Sequence, residues 1–94
     1  MQSINPMALS QRIIHARATA LRTLKAAAGI PMADRMLRDL MRQQLQGDWT
    51  ELDLGDVIRD LEVSGYITGT LREFDQQRIW TLTDKGLIAA AQLR

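Results

Sequence analysis

The hydrophobic pattern of this chain changes its period once, at Gly65, and this change sets the fold class. Before Gly65, apolar residues recur at the three- and four-residue spacing of amphipathic helices. After it, residues 66–72 and 78–83 alternate apolar and polar side chains as strands do, and a polar turn at 74–77 separates them. The pattern predicts a mainly α-helical chain with one small β-hairpin and a short last helix at 84–93.

Three helical segments precede the change of period, and they span about residues 7–28, 32–45 and 54–64. The first follows an Asn-Pro pair, which places a capping side chain before a proline at the first helical position. Asp53 is the predicted N-cap of the third helix, and Thr83 is the predicted N-cap of the last one. The apolar positions of the third helix should face the core: Leu54, Val57, Ile58 and Leu61.

The length of 94 residues predicts a single domain over residues 1–94. Within it, residues 5–20 are predicted to form an N-terminal helical extension, because their apolar positions have no obvious place in so small a core. No apolar run approaches the ~20 residues that a membrane span needs. The N-terminus also lacks the basic start and apolar stretch of a signal peptide. We therefore expect a cytoplasmic protein.

Catalytic chemistry has little support in this sequence. The chain has no cysteine, which excludes disulfides, thiolate catalysis and cysteine-bound zinc. The single histidine, His15, lies on the polar side of the first helix without companions and is interpreted as a solvated surface residue. Asp53, Asp56 and Asp60 share one side of the third helix, but capping and the helix dipole explain the first two. We expect a protein that is not an enzyme and has no metal or cofactor.

Two stretches of the chain are similar to segments found in the members of one protein family. Residues 57–67, VIRDLEVSGYI, look like the end of the third helix and the entry to the wing in MarR-type regulators. Residues 78–86, RIWTLTDKG, are similar to the second wing strand and the Leu-Thr-x-x-Gly entry to the last helix. Over roughly residues 21–93, the chain thus resembles the winged helix-turn-helix superfamily, in particular small bacterial or phage regulators. The resemblance implies three helices, a two-stranded wing, a C-terminal helix and transcriptional regulation through duplex DNA.

The charge of the third helix conflicts with the DNA contact that this resemblance implies. In the family this helix lies in the major groove, and affinity comes mainly from Lys and Arg that meet phosphates. Residues 51–64 carry five acidic residues and one basic residue, Arg59, for a net charge of −4. Three interpretations of this helix stay open: it contacts nothing, it binds a protein, or it contacts DNA. Its candidate protein-interface residues are Leu52 and Val63.

Basic residues are concentrated in the first half of the chain. Residues 1–50 carry seven basic and three acidic residues, whereas residues 51–94 carry five basic and eight acidic ones. DNA would then be contacted by the first two helices and the hairpin, or the basic half of one copy would meet the acidic half of another. The candidate DNA-binding residues are Arg35, Arg38, Arg42, Arg59, Arg72, Gln76, Gln77 and Arg78.

A further interface is predicted at the N-terminal half of the first helix. Members of the family often dimerise through helices that extend from the domain, so the resemblance implies a homodimer formed by this segment. Arg17 would lie at the edge of that interface or pair with an acid across it. The other residues predicted for this interface are Leu9, Ile13, Ala16 and Ala20.

Overall fold

The computed structural model describes the backbone of residues 6–93 and the side chains of residues 11–93. This part of the chain is mainly helical and has a small antiparallel sheet, so the predicted fold class is confirmed at this level. The elements in chain order are α1 (Pro6–Ala26), β1 (Met32–Ala33), α2 (Asp34–Gln44), α3 (Glu51–Val63), β2 (Ile67–Arg72), β3 (Gln77–Leu82) and α4 (Asp84–Gln92).

The sheet has one strand more than the sequence predicts. β2 and β3 form the predicted hairpin, in which Ile67 lies opposite Leu82. β1 pairs antiparallel with the other edge of β3, with Met32 opposite Trp80, so the strand order is β1-β3-β2. A strand of two residues is too short to show alternation, and Met32 also fits the helical stripe that follows it. Because α2 begins directly after β1, this strand joins the start of α2 to the hairpin.

The helix N-termini follow capping chemistry, but one cap differs from the prediction. Thr50 Oγ1 accepts a hydrogen bond from Asp53 N at 3.0 Å, and the Asp53 carboxylate accepts one from Thr50 N at 3.1 Å. This reciprocal pair is a capping box, so Asp53 is the third residue of α3 and not its N-cap. The prediction that Thr83 caps the last helix is confirmed, because its side chain accepts a hydrogen bond from Gly86 N.

Apolar faces of the four helices and the sheet meet in one core. The predicted core face of the third helix is confirmed, since all four of its apolar side chains are buried. On α2, in contrast, Met36 belongs to the apolar stripe but is exposed. The largest fully buried side chains are Leu37, Met41, Leu54, Ile58, Leu61 and Ile67.

The N-terminal half of α1 packs on the rest of the domain. Ala16 and Ala20 are fully buried in the core, and Ile13 is half-buried in a cleft that Trp49 also lines. Assigning Ala16 and Ala20 to an interface between two copies was therefore wrong, because small side chains let α1 pack closely against its own neighbours. Leu9 lies outside the residues whose side chains are described.

Candidate interaction surface between α3 and the hairpin

An open groove of about 510 Å³ separates α3 from β3 and from the start of α2. Both walls carry charged side chains, the hairpin wall also carries two amide side chains, and apolar surface from Leu52, Ile58 and Trp80 lines the groove as well. Five of the eight predicted DNA-binding residues line this groove, and the other three do not. Two of those three, Arg35 and Arg72, line a second groove between α2 and the hairpin. The predicted DNA-binding residues that line the first groove are Arg38, Arg59, Gln76, Gln77 and Arg78.

A series of polar contacts joins β3, α2 and α3 at one end of this groove. Trp80 Nε1 donates to Asp34 Oδ1 at 2.9 Å, and Asp34 Oδ2 lies 2.8 Å from Arg38 Nε. Arg38 Nη1 in turn donates to the backbone carbonyl of Glu51 at 3.0 Å. The guanidinium lies against Gly55, where an added Cβ would be 3.3 Å from Nη2. These contacts fix the first turns of α3 relative to the hairpin, and the guanidinium of Arg38 fills the space beside Gly55.

Glu51, at the start of α3, is held by two arginines of α2. Its carboxylate accepts hydrogen bonds from Arg42 and from Arg38, the latter at 3.3 Å. Arg42 also lies 3.6 Å from Asp39 one turn earlier in α2. The hydrogen bond and the charge of Arg42, with a smaller contribution from Arg38, hold the pKa of Glu51 below its ordinary value. The positive charges of both arginines are therefore largely compensated inside the chain.

We expect Glu51→Gln to weaken the acid sensitivity of the fold. A carboxyl whose pKa is lowered by folding stabilises the native state above its ordinary pKa, and this contribution disappears as the pH falls through the folded value. Wild-type protein should therefore lose stability below about pH 4, where carboxyl groups titrate. The Glu51→Gln variant should lose less between neutral and strongly acidic pH, as measured by the urea midpoint.

Glu73→Gln is the matched control for this measurement, because Glu73 is exposed in the hairpin turn and its side chain makes no ion pair within the described residues. This variant should keep the acid sensitivity of the wild type. Equal sensitivity in Glu51→Gln and wild type would contradict a role for the contacts of Glu51 with α2.

Three of the five acidic residues of α3 have partners inside the chain. Besides Glu51, Asp53 closes the capping box, and hydrogen bonds from its cap residue lower its pKa. Asp60 accepts a hydrogen bond from Arg17 Nη2 at 3.2 Å. The net charge of −4 read from the sequence therefore overstates the negative charge that α3 presents. Within the described residues, Asp53, Asp56 and Glu62 make no ion pair, and of these three only Asp53 is held by the capping box.

The complementary charges of the two halves of the chain meet within one molecule. Arg17, predicted to lie at the edge of a dimer interface or to pair with an acid across it, pairs with Asp60 of its own chain. One turn earlier, the guanidinium of Arg12 lies 4.0 Å from the centroid of the Trp49 ring and donates to the backbone carbonyl of Asp48. These contacts attach α1 to α3 and to the segment before it.

The six predicted DNA-binding arginines fall into two groups. Arg38 and Arg42 pair with acids of α2 and α3, and Arg72 contacts the Asp75 carboxylate through two nitrogens, with Nε at 2.8 Å from Oδ1. The hydrogen bonds from Arg72 lower the pKa of Asp75. The arginines that make no ion pair with any described residue are exposed, and they are Arg35, Arg59 and Arg78.

Large apolar side chains are exposed on α3 and at the tip of the hairpin. Leu52 is 74% exposed and Val63 is 79% exposed, which agrees with their predicted outward position on α3. Phe74 is 97% exposed in the hairpin turn. The sequence pattern predicts only a polar turn for this segment, and it gives no role to Asp34. No local signal marks either residue, because exposure and the contact with Trp80 arise only in the folded chain.

Comparisons with protein-family models, with curated proteins and with solved structures found no match to this chain. The described residues contain no group of three or more His, Cys, Asp or Glu side chains placed to hold a metal ion. None of the helices in the described part of the chain has the length and apolar character needed to cross a membrane. The shape and charge of the groove are therefore the main evidence on function.

Proposed function

We propose that the chain is a small winged helix-turn-helix domain that binds duplex DNA without catalysis, as a regulator of bacterial or phage type. The observation that carries the proposal is the groove, which Arg59 of α3 and Arg78 of β3 line without making an ion pair to any described residue. The order helix, helix, helix, hairpin and helix supports it, because this is the order that the sequence resemblance implies. The third strand gives the hairpin a fixed place beside α2.

The charges of this surface predict that DNA binding would involve few phosphates. Lys and Arg contribute to DNA affinity by releasing counterions from phosphates, and an arginine that already pairs with a carboxylate releases fewer. With Arg35, Arg59 and Arg78 as the main cations, we expect the logarithm of affinity to fall with the logarithm of salt concentration with a slope of about −3. If all six arginines contacted phosphates, the slope would be about −5.

Arg78→Ala should reduce this salt slope by about one unit, because it removes a cation that has no internal partner. Arg72→Ala is the matched control from the same hairpin, and it should reduce the slope less, since Asp75 already compensates Arg72. Fluorescence anisotropy with a labelled random-sequence duplex at several salt concentrations measures both slopes. Equal effects of the two substitutions would contradict the division of the arginines, and no duplex binding even at the lowest salt would contradict the function.

A second function, binding of a protein partner by α3, is favoured by the exposure of Leu52 and Val63. Two apolar side chains beside acidic ones form a surface of the kind found in protein interfaces. If the duplex titrations show no binding, this function takes the place of the first. Leu52→Ser and Val63→Ser should then weaken binding of the partner without changing the urea midpoint, since neither side chain is buried.

A further inference from the structure

One face of α3, opposite to its core face, carries four side chains in a narrow stripe: Leu52, Asp56, Arg59 and Val63. The helical repeat places residues three, four and seven positions apart on the same side, so Leu52, Asp56 and Arg59 are neighbours on this stripe. Asp56 and Arg59 are exposed, both line the groove, and neither makes an ion pair with a described residue. The contacts that hold Glu51, Asp53 and Asp60 therefore do not extend to Asp56.

A carboxylate on a helix that enters the major groove is unfavourable unless a hydrogen-bond donor compensates it, because the phosphates around it are negative. The donors at the floor of the major groove are the amino groups of cytosine and adenine, and Asp or Glu side chains accept from cytosine N4. The guanidinium of arginine matches guanine, to which it donates two hydrogen bonds, at O6 and N7. Asp56 and Arg59 thus present the two side-chain chemistries that recognise cytosine and guanine.

The spacing along α3 limits where these two bases lie. Three residues advance an α-helix by ~4.5 Å, whereas successive base pairs are ~3.4 Å apart. On a helix that lies along the major groove, side chains at positions 56 and 59 are thus spaced to reach neighbouring base pairs. Arg38 contacts both Glu51 and Gly55, and these contacts hold α3 in one orientation. The stripe would therefore meet the major groove of DNA in one fixed orientation.

We propose that Asp56 and Arg59 determine the sequence specificity of this protein, with Asp56 accepting from cytosine N4 and Arg59 donating to guanine O6 and N7 in adjacent base pairs. This inference rests on the DNA-binding function proposed above. It gives a role to the acidic character of α3, which opposes binding to random DNA and favours duplexes that offer the cytosine amino group. Specific binding then depends on base contacts more than on phosphate contacts.

The test is selection of bound duplexes from a random pool, followed by titration with the recovered duplex and with single-base-pair variants of it. Wild-type protein should enrich adjacent cytosine and guanine, and changing either base pair should weaken binding by about tenfold to 100-fold. Asp56→Asn should recover adenine in place of cytosine, because an amide side chain pairs with adenine N6 and N7. Arg59→Lys should keep the salt slope of the wild type but lose most of the preference for guanine.

Glu62→Gln serves as the control, because it removes an acid of α3 that lies off the stripe. It should strengthen binding to all duplexes and leave the recovered sequence unchanged. Duplex binding with no base preference, or the same recovered sequence from wild type, Asp56→Asn and Arg59→Lys, would overturn this inference and leave the proposed function standing. Absence of duplex binding at every salt concentration would overturn the proposed function itself, and this inference with it.

Discussion

Replacing Gly86 by alanine is expected to destabilise the protein by about 3 kcal/mol or more, which is a large part of the total stability of a small domain. An alanine Cβ at this position would lie 1.9 Å from the backbone oxygen of Tyr66. The same oxygen accepts a hydrogen bond from Thr83 N at 3.1 Å, so it has a fixed place at the start of α4. Relief of the clash requires α4 to move away from Tyr66, the residue before β2, and the urea midpoint measures the loss.

Gly55→Ala is the matched control, because it also adds one methyl group inside a helix. Its nearest neighbours would be guanidinium atoms of Arg38, at 3.3 Å and beyond. The end of a long side chain can shift, and alanine favours the helix over glycine by about 1 kcal/mol, so we expect a change smaller than 1 kcal/mol. Equal losses at Gly86 and Gly55 would show that the contact with Tyr66 is not the cause.

The helices and the hairpin follow from sequence patterns, whereas β1 depends on a distant partner. The core face of α3 and the two hairpin strands have enough apolar positions to define their period, and both were predicted. β1 exists because Met32 pairs with Trp80, which lies far along the chain. The predicted N-cap of α3, Asp53, was wrong because Thr50, three positions earlier, is also a good capping residue. The helix begins after Thr50, and Glu51 then lies within reach of Arg38 and Arg42.

The charges of the candidate site show most clearly what a sequence leaves undetermined. Counting residues gives the net charge of α3, but the count does not reveal which charges are paired. Arg17 and Asp60 are 43 positions apart, and their contact requires α1 to pack across α3. The burial of Ala16 and Ala20 has the same origin, because an alanine stripe fits a close helix contact within one chain as well as one between two chains.

The second large effect is expected at Gly69 in β2, where alanine should cost about 2 to 3 kcal/mol. Gly69 lies opposite Trp80 in the hairpin, and an added Cβ would be 2.6 Å from Cζ3 of the indole ring. Trp80 is only 3% exposed, and its Nε1 donates to Asp34. Turning the ring away from Gly69 would break the contact that links β3 to α2, so relief of the clash is costly. Urea denaturation of Gly69→Ala measures this loss.

A double-mutant cycle with Trp80→Leu identifies the cause of this loss. Leucine at position 80 removes the ring atoms that an alanine at Gly69 would strike, although it also leaves a cavity and removes the bond to Asp34. Gly69→Ala should then cost little in the Trp80→Leu background, because alanine is no worse than glycine in a strand. The loss in the double variant should be smaller than the sum of the single losses by about 2 kcal/mol. Additive losses would contradict the clash and would mean that Gly69 is needed for the backbone of β2 itself.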